Sequence, residues 1–120
     1  MSKYQDHKEK YLRFKKDAEN EELFIPTRIE AYFNAMLHLI EAVASQHNVH
    51  IDVHKNLRRI LESNTDVFGE DIETVCSNFI KLEKDIRPGQ VYGSRINGGK
   101  LKEAQKAVSL IENICLKDLK

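Results

Sequence analysis

The 120 residues predict an all-α fold, an up-and-down antiparallel bundle of four to five helices. Three observations predict it. Apolar residues recur at alternating spacings of three and four along most of the chain, which is one face of a helix. No segment alternates with the period of two that a half-buried strand needs. The breaks between periodic segments are short, which favours antiparallel neighbours. The length is that of one domain, 1–120, and suffices for a single core.

The first helix is expected from about Lys3 to Glu19, with Ser2 and Gln5 spaced as a capping box. Its stripe of Tyr4, Tyr11, Phe14 and Ala18 is thin, so loose packing is expected. Pro26 supplies the backbone angle of a first helical turn, and Ile29, Phe33, Met36, Ile40 and Val43 then mark the second helix. Tyr32, Leu37 and Leu39 widen that face, which places this helix centrally. A break follows from His47 to Ile51. Asp52 is positioned to cap a third, shorter helix carrying Val53, Leu57, Ile60 and Leu61, which Ser63 to Asp66 ends. The fourth helix runs from about Glu70 to Ile86, with Pro88 stopping it and biasing Arg87 away from helical angles. The fifth starts near Gly99, with Asn97 as its candidate cap and Leu101, Ala104, Val108, Ile111 and Cys115 on one face.

Apolar residues are 41% and charged residues 32%, a globular composition. The longest uncharged apolar run, Ala31 to Ile40, is about half of a bilayer crossing, and no signal peptide is visible. A soluble, cytoplasmic protein with no membrane partner is expected. Cys76 and Cys115 lie in apolar stripes and read as reduced core residues. Formal net charge is zero, so attraction to a polyanion needs a local patch. Residues 84–106 provide one, with six bases against two acids, and residues 1–16 another with the same balance.

Residues 87–99 hold four of the five glycines and one of the two prolines, between two helical segments. A loop on a rigid scaffold is where function concentrates, and this one carries Arg87, Tyr92 and Arg95 and leads to Lys100. It is not a P-loop: Ser94 stands at the first glycine position, Leu101 replaces the hydroxyl residue, and no strand precedes it. A plain glycine turn and a general anion site, served by Arg95, Lys100 and the start of the last helix, are both compatible with it. His47, His50, Asp52 and His54 have zinc-like spacing but straddle a helix break, so no metal and no cofactor are assigned. His38 reads as a hydrogen-bonded core histidine, and His54 as a packing or capping residue. Glu62, Glu70, Asp71 and Glu73 read as solvated surface, with no pair placed across a cleft.

Three stretches resemble the HEPN domains (higher eukaryotes and prokaryotes nucleotide-binding) over residues 28–114. They are the aromatic-rich segment Arg28 to Ala42 with His38 within it, the segment Val53 to Leu61 that opens Val53-His54-Lys55-Asn56-Leu57, and Ile86 to Gly93, Ile-Arg-Pro-Gly-Gln-Val-Tyr-Gly, before a long helix. The resemblance implies a helical bundle that often dimerises. In many members it also implies metal-independent RNA cleavage by an arginine and a histidine four to six residues later. Arg87 matches that arginine, but Tyr92 and Gly93 stand where the histidine belongs. A tyrosine, with an ordinary pKa near 10, is a poor proton shuttle, whereas arginine can still fork onto phosphate. The expectation is therefore a non-catalytic nucleotide- or RNA-binding module, or a nucleotidyltransferase partner, presenting Arg87, Tyr92, Arg95 and Lys100. Two alternatives stand beside it. One is a ribonuclease of toxin–antitoxin type using Arg87, with Tyr92, His38 or His54 handling the proton. The other is a structural dimerisation or protein-interaction subunit.

Overall fold

The computed structural model describes residues 3–88 and 98–119, and they form a bundle of five helices with no strand among them. Helix α1 (Lys3–Ala18) lies antiparallel along α2 (Ile25–Gln46). At one end of this hairpin Arg28 Nε donates to the Ala18 carbonyl at 2.8 Å, and at the other His7 meets Glu41 at 2.9 Å. The thin stripe of α1 does not leave it loose. Tyr11 and Ala18 are buried and Phe14 packs on the core. Polar tethers complete the seat: Glu112 accepts from the Tyr11 hydroxyl at 2.5 Å and from Lys15 Nζ at 2.6 Å. Apolar periodicity counts none of these polar attachments, which is why it undervalued α1.

Helix α2 is central, as its wide apolar face predicts. Ile29, Met36, Leu39, Ile40 and Val43 are fully buried, and so are Ala35, Ala42 and Ala44. Its end is a Schellman turn: Asn48 donates to Ser45 and Val49 to Ala44, with Asn48 at φ 60°. Asparagine is one of the few side chains that tolerate this left-handed angle.

Asp52 does not cap a helix. Its carboxylate accepts from the adjacent Val53 N–H at 2.8 Å, and winding begins two residues on as a tight turn, His54–Asn56, leading into α3 (Leu57–Ser63). A second tight turn, Gly69–Asp71, starts α4 (Ile72–Ile80). Gly69 sits at φ +57°, an angle that glycine adopts without strain.

Beyond Ile80 the helical path continues with wider turns over Lys81–Ile86. Arg87 donates its N–H to Leu82, five residues back, and itself has helical angles, φ −59° and ψ −49°. The proline therefore does not push Arg87 out of helix. A proline clashes with the carbonyl four residues before it, and bonding five back moves that carbonyl out of line. Leu82 and Ile86 of this wide winding are fully buried. Helix α5 (Gly98–Asp118) packs on α2 and α4 and buries Ala104, Val108, Ile111 and Cys115. The candidate caps Ser2 and Asn97 lie outside the described residues.

Among the described residues no helix is long and apolar enough to cross a membrane. Cys76 is buried, and burial pushes its thiol up to about 11, so it is a packing residue and not a nucleophile.

Candidate anion-binding groove

Phe33 organises this part of the molecule. It is buried on α2 and stacks on Phe79 of α4 with ring centroids 5.2 Å apart. Arg87 lays its guanidinium carbon over the Phe33 ring at 4.4 Å, a cation–π contact. Glu30, one turn before Phe33, fixes the guanidinium through Nε at 2.6 Å. His54 approaches the same ring edge-on at 5.5 Å and 87°. The Nδ1 side of His54 is paired with Glu83, whose side chain is 11% exposed. One aromatic ring thus joins the second helix, the His54 turn and the end of the fourth helix.

The sequence places no histidine in the loop after Arg87, and the fold brings one to the same aromatic ring. His54 reaches the ring that Arg87 covers, although 33 residues separate the two in the chain. Loop spacing could not reveal this, because the contact crosses the core. His38 goes elsewhere: it turns towards α1, against His7 and Phe14. Burial, and then the charge of His7, push its imidazole down to about 4.

Next to the ring lies an open groove of about 320 Å³ between the His54 turn and α3 on one side and α4 with its wide extension on the other. Leu57, Phe79 and Ile80 line it, together with His54. Four cations, Lys55, Arg58, Arg59 and Lys84, face two carboxylates, Glu62 and Glu83. Arg58 is engaged by Glu62 at 3.4 Å and by Glu73. Lys55, Arg59 and Lys84 form no ion pair among the described residues. A phosphate entering the groove would meet three uncompensated cations on a partly apolar surface. By contrast, a larger open concavity of about 950 Å³ carries Asp66, Glu70 and Asp71 against Lys117 and would repel it. That concavity gathers Glu70 and Asp71, which the sequence reading left as solvated surface, together with Asp66 from the polar run after α3.

Of the residues singled out in the sequence, Arg87 is 19% exposed, held by Glu30, and does not line the groove. Lys100 turns to Glu103 at 3.5 Å, which Lys81 also approaches at 3.7 Å. Tyr92 and Arg95 lie outside the described residues. His47 and His50 are exposed, and His47 lines the acidic concavity, so the histidines at 47, 50 and 54 do not converge. Lys55, Arg59 and Lys84 were missed as a set. The signal available was the Lys55–Arg58–Arg59 spacing, which puts three cations on little more than one helical turn.

Comparison of the chain with protein-family models, with curated proteins and with solved structures gives no match.

Proposed function

We propose that the chain is a HEPN-like binding module for a phosphate-bearing ligand, a nucleotide or single-stranded RNA, held in the groove beside His54. The observation that supports this reading is the set of unpaired cations, Lys55, Arg59 and Lys84, around a concavity of about 320 Å³. Phosphate contacts of this kind supply affinity without sequence preference and weaken steeply with salt. Arg87 has a different part here. It pins the end of the fourth helix to α2 and so fixes the wall that carries Glu83, which reaches across to His54. Tyr92 and Arg95 belong to the same reading as phosphate and base contacts, and a second copy of the chain would add further ones.

Fluorescence anisotropy with a labelled oligoribonucleotide tests the reading. Binding at low salt should fall at least about tenfold in the variant Lys55→Ala/Arg59→Ala/Lys84→Ala, since the three phosphate contacts act together. An affinity equal to that of the parent would remove the proposal.

A ribonuclease is the second reading, favoured by the His54–Glu83 pair. A carboxylate on Nδ1 sets the imidazole tautomer and leaves Nε2, on the far side of the ring, for proton transfer. Incubation of RNA with purified protein in EDTA decides it. Cleavage that disappears in His54→Ala supports an enzyme, and intact RNA leaves a binding module.

A further inference from the structure

A different cluster lies at the open end of the α1–α2 hairpin. His7 of α1 faces His38 and Glu41 of α2, which are three apart and so share one helix face. One ligand atom from each lies within 4.8 Å of the other two. His7 Nδ1 is 3.0 Å from His38 Nδ1 and 2.9 Å from Glu41 Oε2, and His38 Nδ1 is 3.9 Å from Glu41 Oε2.

We infer that His7, His38 and Glu41 form a binding site for a divalent transition metal of the zinc class. The geometry fits such an ion. Ligand bonds of about 2.0–2.1 Å at the tetrahedral angle put neighbouring donor atoms roughly 3.3 Å apart, and the three observed separations bracket that edge. Two imidazoles and one carboxylate are the donor set that holds zinc with three protein ligands and leaves a fourth position for water. The side chains are 15%, 17% and 13% exposed, which keeps the cluster partly dry and still reachable from solvent. The donor atoms select against magnesium and calcium, which take oxygen ligands in larger number.

The surroundings are those of a built site. The His38 ring is stacked between His7, with centroids 5.2 Å apart, and Phe14, at 5.7 Å and 3°. Its orientation is therefore set before any ion arrives. Because the ligands come from both helices, the ion would also clamp α1 to α2. This is the part of the fold that apolar periodicity left weakest.

Tag-free protein, stripped with chelator and dialysed, is titrated with Zn²⁺ alone by calorimetry and with Co²⁺ by absorption. The result expected is one ion per chain, a tetrahedral Co²⁺ spectrum, and a rise in melting temperature with added Zn²⁺. Glu41→Gln and His7→Ala, each checked for native circular dichroism, should weaken Zn²⁺ binding at least about tenfold, the scale on which even outer-shell changes act. His47→Ala/His50→Ala should bind as the parent does. Failure to saturate at micromolar Zn²⁺ overturns the inference. So does binding that survives in Glu41→Gln and His7→Ala, or that is lost in His47→Ala/His50→Ala, which would place the ion at the exposed histidines.

Discussion

At the scale of single residues, Arg87 carries two contacts that a surface arginine would lack, the Glu30 pair and the Phe33 face. Arg87→Ala should therefore lower stability by about 1–2 kcal/mol in urea titration, through the cation–π contact and the half-buried Glu30 left behind. Any loss of RNA affinity should be smaller than that of the triple lysine–arginine variant. A large affinity loss with unchanged stability would instead make Arg87 a direct ligand. Tyr11 gives the pH prediction. Burial, with the hydrogen bond to Glu112 second, raises its phenol well above the ordinary 10. The unfolded chain ionises first, so the stabilising contribution is complete below pH 10 and declines as the pH climbs above it. Chemical denaturation between pH 9 and 11 should show the parent losing stability faster than Tyr11→Phe. Parallel curves would contradict the buried-phenol assignment.

At the scale of elements, the periodic helices were readable because burial repeats with the helical period. Ile29, Met36, Ile40 and Val43 in α2, and Leu101, Ala104, Val108 and Ile111 in α5, are all on the core side. What was not readable was the winding of the fourth helix. Pro88 signals a stop, but bonding to a carbonyl five residues back lets the helical path carry on to Arg87. Side-chain direction then differs from the regular-helix expectation: Arg87 turns onto Phe33 and Glu83 onto His54. The site was only half legible for the same reason. The basic segments could be counted, but the meeting of His54 and Arg87 on one ring, with Glu83 paired to His54, depends on contacts between residues far apart in the chain. The tight turn before α4 makes a local prediction. Gly69 is at φ +57° with open space around a would-be Cβ, so Gly69→Ala should cost about 1 kcal/mol from backbone conformation alone. A neutral result would mean that the turn relaxes to a negative angle.

At the scale of the whole molecule, net charge is zero, yet charge is segregated. The groove beside His54 collects Lys55, Arg59 and Lys84, while the large concavity collects Asp66, Glu70 and Asp71. A ligand bearing phosphate should bind one face and avoid the other. The affinity should fall linearly on a log–log plot against salt, by about 0.7 in slope for each phosphate neutralised on a single strand. The most direct test of this account is the salt dependence of single-stranded RNA binding, measured side by side for the parent and for Lys55→Ala/Arg59→Ala/Lys84→Ala. The account predicts weaker binding at low salt and a slope shallower by about 2 in the variant. Equal slopes and affinities, or no binding by the parent at low salt, would contradict it.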